Sequence, residues 1–364
     1  MKGKTAPYAK VLVAFLGFIG ALALILDAAT AADAVRSGIS LCLRVIIPAL
    51  FPFMVLARLA VAAVGSGNRS GSIGKIMEPL FGLPAQGALA LLLGAVGGYP
   101  VGAQVTADLR RSGAVTRDEG ERLLAFCNNA GPAFLFGMVG GLLGGVRVAA
   151  VLYGIHLLSA LLTGLIFRPK RREVQHIHSV CPSSVNRMDL PLAVNGSVRS
   201  MANICGFVLL IQVVSAFLDK VCGLWMPKEI RLGITGFLEL SGGCCGLTEL
   251  PSLGARYCMA SFFLGFGGIC VWLQTKAVLR HSDLTGKLYL YGKTLQAVIA
   301  VLLTWGCMIF FPNMLPREVP TAVLPNHDGL LRSMGVVVGV FLVLFGIWCI
   351  SLRKKAGKQE LYGV

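Results

Sequence analysis

The sequence LPAQGALALLLGAVGGYPVGAQVTADLRRSG, residues 83–113, begins as a mainly apolar segment and ends with charged residues. Its apolar part, 85–96, is too short to cross a bilayer, because a transmembrane helix needs about 20 apolar residues. It then enters a glycine-rich break, which indicates a chain that turns back inside the protein. We predict a re-entrant hairpin here, the alternative being a loop at the membrane interface. The residues of the break are Gly97, Gly98, Tyr99, Pro100 and Gly102.

A second stretch of this kind, EIRLGITGFLELSGGCCGLTEL, lies at residues 229–250. Short apolar segments again flank a glycine-rich break, so we predict a second re-entrant hairpin. Irregular backbone is tolerated at membrane depth only where protein or a watery cavity covers it. The predicted tip of this hairpin contains Gly242, Gly243 and Gly246.

Each hairpin is followed by a predicted span that is itself interrupted. The first span, 119–144, contains two adjacent asparagines, a glycine and a proline, and the second, 256–279, contains three clustered glycines. Proline removes a helical hydrogen bond and glycine lowers helix propensity by about 1 kcal/mol, so both spans should break. The residues at the breaks are Asn128, Asn129, Gly131 and Pro132, and then Gly265, Gly267 and Gly268.

The composition predicts an all-α polytopic membrane protein. Charged residues make up 14% of the 364 residues, whereas soluble domains average about 25%. The mean hydropathy is +0.75. The apolar runs predict about eight transmembrane helices in addition to the two hairpins. The predicted crossings lie at about 11–28, 41–64, 119–144, 148–167, 201–219, 256–279, 288–311 and 334–352.

The order helix, hairpin, broken helix, helix occurs twice. Each unit crosses the membrane an odd number of times, so the second unit should enter with inverted topology. Paired interruptions in two such halves are typical of a transporter site. The predicted parts are an N-terminal transmembrane helix (1–40), a first repeat (41–168), a basic cytoplasmic linker (169–200), a second repeat (201–311), and a C-terminal transmembrane helix with a basic tail (312–364).

The positive charges predict the orientation. When cations near span ends are counted with the adjoining loops, 22 of the 33 lysines and arginines fall at the two termini and in the even-numbered loops. The positive-inside rule therefore predicts that both termini are cytoplasmic. The first apolar run, 11–28, is longer than the 7–15 residues of a usual signal-peptide core, so we expect an uncleaved helix rather than a cleaved signal.

The candidate binding residues lie in the hairpins and breaks. Asn128 and Asn129 place amides inside a span, where polar groups are costly unless paired, so they contact either a ligand or a neighbouring helix. Glu239 is enclosed by apolar sequence and is a candidate coupling acid or structural acid. The predicted substrate contacts are Gly97, Gly98, Tyr99, Gly102, Asn128, Asn129, Ser241, Gly242 and Gly243, and close helix packing is the alternative role for the glycines.

The stretches GGYPVGAQVTADLRRSG and ERLLAFCNNAGPAF resemble the YlbJ family of sporulation integral membrane proteins. GFLELSG, at Gly236–Gly242, resembles the corresponding second hairpin more weakly, and the resemblance covers about 40–310. The residues that carry the first motif are Gly98, Tyr99, Pro100, Gly102, Ala103, Asp108, Leu109, Arg110, Glu121, Arg122, Leu123, Leu124, Asn128, Asn129, Gly131 and Pro132.

The resemblance implies nucleoside-recognition gate domains, similar in plan to concentrative nucleoside transporters. It also implies export of dipicolinic acid from the mother cell toward the forespore, with the protein in the outer forespore membrane. We therefore expect a secondary transporter for a small organic anion. The alternatives are a nucleoside or other small-solute carrier of the same fold, and a non-transporting membrane scaffold needed for spore formation.

Other classes of function find little support in the sequence. We find no metal motif, phosphate-binding loop or nucleophile motif, so we expect no enzyme and no cofactor. His176 and His178, in the linker, favour a solvated segment over a metal site. The expected partners are a small anionic solute and the lipid bilayer, with no nucleic acid. A coupling proton or sodium ion and a homo-oligomer are suggested by fold analogy alone.

Overall fold

The computed structural model describes residues 7–48, 51–52, 54–56, 58–59, 74–169 and 190–315. These residues are mostly helical, and no β-strand occurs among them. The predicted crossing at 334–352, part of the crossing at 41–64, and the two linker histidines lie outside the described residues.

The helices follow one another through short connections. Those of the first half are α1 (Pro7–Leu26), α2 (Ala28–Leu41), α3 (Gly74–Phe81), α4 (Gly87–Gly97), α5 (Val101–Arg111), α6 (Arg117–Leu124), α7 (Pro132–Leu143) and α8 (Val146–Ile166). Those of the second half are α9 (Leu190–Cys222), α10 (Lys228–Leu238), α11 (Leu240–Gly246), α12 (Leu253–Phe266), α13 (Gly268–Leu279) and α14 (Lys287–Phe310). A π-helical turn at Cys42–Ile46 extends α2, and another forms the middle of α7.

Four helical stretches among the described residues are long and apolar enough to cross a membrane. They are α8, α9, α14, and α12 together with α13, and they coincide with four of the predicted crossings. A fifth is formed by Gly17–Leu26 and Ala28–Arg44 if this pair, bent by 101°, is one span. Large apolar side chains such as Leu210 on α9 and Leu302 on α14 are exposed, as expected for helices that face lipid.

The prediction of a loop between the first two crossings was wrong, because the chain bends after α1 and continues as a helix. Residues 28–41 form a helix, and Asp27 caps it by accepting a hydrogen bond from the Thr30 backbone N–H at 3.2 Å. The segment was predicted as a loop because it contains polar residues and is less apolar than the runs on either side. It is also rich in alanine, the strongest helix former, and this favours a helix. In the same way α9 begins at Leu190, so residues 190–200 are helical rather than part of the predicted linker.

The first predicted hairpin is present as two 11-residue helices, α4 and α5, that pack against each other. Each is about 16 Å long, roughly half the thickness of the hydrocarbon core. Gly98 connects them with φ +78°, a conformation that residues with a side chain rarely adopt. The break therefore falls at the position that the sequence predicted.

The second predicted hairpin has its turn at a different residue. The chain breaks at Glu239, where φ is −144° and ψ 123°, and Ser241, Gly242 and Gly243 lie inside α11. The prediction of a glycine tip was wrong here, because the carboxylate of Glu239 caps α11 and lets the following glycines stay helical. Gly243 instead allows close packing, since a Cβ there would lie 2.2 Å from Gly236 Cα.

Both predicted helix interruptions occur, although the helix after the first, Pro132–Leu143, is too short to be a candidate span. Residues 125–131 separate α6 from α7 without helical structure, and Gly267, with φ +83°, separates α12 from α13. The last long helix, α14, packs against α6, α8 and α12. It therefore runs beside both breaks, and its buried face is positioned to contact them.

Candidate functional site

The first break is held by the side chains of its two asparagines, both fully buried. Asn129 donates from Nδ2 to the carbonyl of Phe126 at 2.8 Å, which closes the turn locally. Asn128 instead reaches other elements. Its Oδ1 accepts from the Ala103 N–H of α5 at 3.3 Å, and its Nδ2 donates to Thr275 Oγ1 of α13 at 3.2 Å. Asn128 therefore joins the first hairpin to the second interrupted span.

Lys293 is the residue of this centre that the sequence reasoning missed. It lies on α14, about 9 Å from the helix start, and is fully buried. Its Nζ donates to the backbone carbonyl of Asn128 at 2.9 Å and to Gln296 Oε1 at 2.5 Å. Nζ also lies 5.0 Å from the centroid of the Tyr99 ring, within the range of a cation–π contact. Lys293 therefore faces the protein interior rather than a loop.

Gln296 extends the network from Lys293 to the first break and to α8. Its Nε2 donates to Asn129 Oδ1 at 3.0 Å and to the His156 carbonyl at 3.2 Å. The His156 imidazole Nε2 accepts from the Ala130 N–H at 3.0 Å. Three of the groups around Asn128 and Asn129 thus come from helices to which the sequence assigned no function.

The tip of the first hairpin contacts the second break. The Tyr99 hydroxyl donates to the Leu264 carbonyl at 2.6 Å, in the last turn of α12. A Cβ at Gly267 would lie 3.3 Å from Tyr99 Cζ, and one at Gly268 would lie 3.2 Å from the Leu238 carbonyl oxygen. The break between α12 and α13 is therefore enclosed by the tip of the first hairpin and by the turn of the second.

Glu239 is buried and acts locally in this structure. Its Oε1 accepts from Ser241 N–H at 2.9 Å and its Oε2 from Gly242 N–H at 2.6 Å. The amides that we predicted as anion contacts in the second hairpin are thus already bonded to a carboxylate of the same chain. This is the geometry of a structural acid, and Glu239 has the additional capacity to exchange a proton.

The remaining predicted contact residues lie around the same centre in packing roles. A Cβ at Gly102 would lie 2.2 Å from the Cys127 carbonyl oxygen, so the hairpin backbone touches the first break there. Gly97 and Gly98 end α4, and Gly131 approaches Gly98 closely. Ser261 and Gln274, the polar residues on either side of the second break, bond Thr304 and Cys270. Thr275 is the polar residue of α13 that contacts the first break.

Polar contacts at the start of α14 fix this helix relative to the first interrupted span. Glu121 of α6 is buried, because it caps the loop before α14. Its Oε1 accepts from Thr285 Oγ1 at 2.7 Å and from Gly286 N–H at 3.1 Å. Thr116 and Glu119 form a capping box at the start of α6.

A more exposed ion pair ties the end of the first hairpin to the loop before α14. Both guanidinium nitrogens Nε and Nη2 of Arg110 lie 2.9 Å from the carboxylate of Asp283. This hydrogen-bonded cation holds the pKa of Asp283 below its ordinary value, because it stabilises the charged form. Arg110 thus acts as an anchor of the hairpin.

The site is closed in this structure. Asn128, Asn129, Lys293 and Gln296 have no exposed surface, and Tyr99 is 6% exposed. Among the described residues, no carboxylate lies within ion-pair distance of Lys293. The centre therefore offers amides, an aromatic face and one lysine.

Comparison with known proteins gives a full-length relative. The chain is 28% identical over an alignment of 378 residues to the sporulation integral membrane protein YlbJ of Bacillus subtilis (strain 168). The alignment covers 90% of this chain and 92% of that protein. No protein-family model matches the sequence, and no solved structure matches it. The agreement over nearly the whole of both chains supports what the first-hairpin and asparagine motifs indicated: the chain is an integral membrane protein similar to the sporulation protein YlbJ.

Proposed function

We propose that this protein is a secondary transporter that moves a small organic anion across the membrane. The observation that carries the proposal is the meeting of three irregular segments at one buried polar centre. These are the break at Asn128 and Asn129, the break at Gly267, and the hairpin tip at Tyr99. Interrupted helices that meet inside a membrane protein are the usual framework of a solute site.

A purely structural role does not account well for this arrangement. Backbone without helical hydrogen bonds is costly in the membrane, and so is each buried amide that must find a partner. Two continuous spans would avoid both costs. Segments broken at corresponding places in the two halves are instead what alternating access requires, because a hairpin can then move against a fixed helix.

Dipicolinate, the dianion of pyridine-2,6-dicarboxylic acid, is the first candidate solute. The relative is named for sporulation, and the resemblance to its family implies dipicolinate export from the mother cell toward the forespore. We extend this role to the present chain, with both termini in the cytoplasm, two inverted repeats, and a location in the outer forespore membrane. An aromatic dicarboxylate suits a centre with a tyrosine ring and several hydrogen-bond donors.

The test is flux of labelled dipicolinate into liposomes that contain the purified full-length protein. We expect saturable flux that responds to an imposed proton or sodium gradient. Asn128→Ala should reduce this flux per folded carrier at least about tenfold, because the break loses its contacts to the hairpin and α13. Flux of uridine that dipicolinate does not inhibit would assign a neutral-solute carrier instead.

A matched control separates loss of the site from loss of packing. Thr304→Val removes another buried interhelical hydrogen bond, the one of 2.6 Å to Ser261, about 16 Å farther along α14 than Lys293. We expect Thr304→Val to retain flux per folded carrier. Equal losses in both variants would argue against a site at Asn128. A well-folded wild type that moves no solute would argue for a scaffold.

A further inference from the structure

A protonated Lys293 has no acidic partner beside it among the described residues to neutralise its charge. The three hydrogens of an ammonium group face the Asn128 carbonyl, Gln296 Oε1 and the π face of Tyr99. All three partners are neutral, and no acid of the described chain contacts the nitrogen. A cation in a candidate membrane span is expensive unless an opposite charge joins it, so such a residue is a functional candidate.

A second group beside the same glutamine also has unused hydrogen-bonding capacity. His156 Nε2 accepts a hydrogen bond from Ala130 N–H, so a neutral imidazole carries its hydrogen on Nδ1. His156 is 1% exposed, and its Nδ1 has no hydrogen-bond partner among the described residues. The centre thus contains a lysine without an acidic partner and a buried donor without an acceptor, the two kinds of group that an anion pairs with.

We propose that Lys293 binds a carboxylate group of the transported solute and makes the site select carboxylates over neutral molecules. This inference rests on the proposed function and gives it a substrate class. The carboxylate takes a place beside Lys293 and supplies the missing negative charge. Gln296, which bonds Lys293 through Oε1 and Asn129 through Nε2, holds the lysine at the first break while this happens.

The geometry argues against a lysine that serves only to join helices. Joining α14 to the Asn128 carbonyl requires one donor, which a neutral side chain supplies at a far lower desolvation cost. The ammonium is needed only where negative charge must be bound. A fixed cation also excludes other cations from the centre, because like charges repel strongly where water is absent.

The experiment measures ligand-induced thermal stabilisation of the purified full-length protein in detergent, with a matched pair of probes. Dipicolinate carries two carboxylates, and pyridine-2,6-dicarboxamide has the same shape without charge. Wild type should be stabilised by dipicolinate at concentrations at least about tenfold below those needed for the diamide, as expected for a charge-assisted contact. Lys293→Gln should reduce this preference at least about tenfold, and Lys293→Arg should retain part of it.

Lys276→Gln is the control, because Lys276 is exposed on α13, where it donates to the Thr285 carbonyl and lies 6.0 Å from the centroid of the Trp272 ring, away from the two asparagines. It should keep the wild-type preference. A merely structural Lys293 would lower the melting temperature of Lys293→Gln without changing the ratio between the two probes. An unchanged ratio in Lys293→Gln would overturn the inference. If that variant does not fold, a wild type that shows no preference for dipicolinate over the diamide overturns it equally.

The two proposals fail in different ways. If Lys293→Gln transports dipicolinate as fast as the wild type, the transporter proposal is supported and the proposed role of the lysine is contradicted. If the protein binds carboxylates through Lys293 but shows no flux, the binding role of the lysine is supported and the transporter proposal is contradicted. Flux of uridine without binding of any carboxylate leaves a transporter and overturns the inference about Lys293.

Discussion

Lys293 Nζ lies 2.9 Å from the backbone carbonyl oxygen of Asn128, so the only fully buried lysine described in the chain bonds the irregular backbone of the first break. The break frees this carbonyl from helical hydrogen bonding, and α14 supplies the donor. The side chain of the same asparagine bonds α5 and α13. One residue thereby connects the first hairpin, the second interrupted span and the last long helix.

The link between Asn128 and Thr275 should be measurable as a coupling free energy. Asn128→Ala and Thr275→Val each remove one side of the 3.2 Å hydrogen bond between the two spans. We expect each to lower the free energy of unfolding by about 1–3 kcal/mol, because a buried partner is left unsatisfied. The double variant should cost less than the sum by about 0.5–1.5 kcal/mol. Thermal unfolding in detergent measures this, and strict additivity would show that the contact is absent.

The sequence predicted the interruptions better than it predicted the groups that fill them. Gly98, Pro132 and Gly267 impose local backbone preferences that any surrounding structure must respect, so the breaks were visible without tertiary information. Lys293 lies within the first two turns of its helix, where a lysine ordinarily reaches toward water. Only the packing of α14 against α6, α8 and α12 buries it, and one sequence does not reveal that packing.

The error at the second hairpin has a similar origin. Gly242 and Gly243 are natural turn residues, and a glycine pair in a hydrophobic stretch indicates a tip. The structure shows that a carboxylate two or three residues earlier satisfies the amides of Ser241 and Gly242 and starts a helix there. The prediction therefore failed because it did not consider that a glutamate inside an apolar stretch can cap a helix. The spacing of Glu239 to Ser241 and Gly242, which allows this cap, is visible in the sequence.

Glu239 gives a prediction that separates a structural acid from a coupling acid. Glu239→Ala leaves two amides without a partner, so we expect the free energy of unfolding to fall by about 1–3 kcal/mol. Glu239→Gln keeps one of the two acceptor oxygens, so it should cost less than Glu239→Ala. We expect Glu239→Gln to retain gradient-driven flux in liposomes. A glutamine variant that is stable but no longer responds to the gradient would instead assign the coupling role to this carboxylate.

Glu121 should contribute to stability through the loop before α14. Its carboxylate accepts from Thr285 Oγ1 and Gly286 N–H, and no other described acid performs this role. We expect Glu121→Ala to lower the free energy of unfolding by about 1–3 kcal/mol. Asp118→Ala, on the exposed side of the same helix, should cost only about 0.3–1 kcal/mol, through its interaction with the helix dipole. Comparable melting temperatures for both variants would show that the cap contributes little.

Gly292 provides the sharpest steric test of how α14 meets the first break. A Cβ at this position would lie 2.1 Å from the Ala125 carbonyl oxygen and 2.6 Å from Ala125 Cα, and neither backbone atom can move away without shifting a helix. Gly292→Ala should therefore destabilise the protein by at least about 1–3 kcal/mol. It should also weaken dipicolinate binding, because Lys293 is the next residue and would move with the helix.

Gly306→Ala is the matched control on the same helix, since a Cβ there meets nothing within 4 Å. Alanine has a higher helix propensity than glycine by about 0.8–1.0 kcal/mol, so we expect Gly306→Ala to be neutral or slightly stabilising. The two variants carry the same chemical change, and they differ only in what surrounds the new methyl group. If both melt at the wild-type temperature, α14 does not contact the first break at Ala125, and the position of Lys293 beside Asn128 is wrong as well.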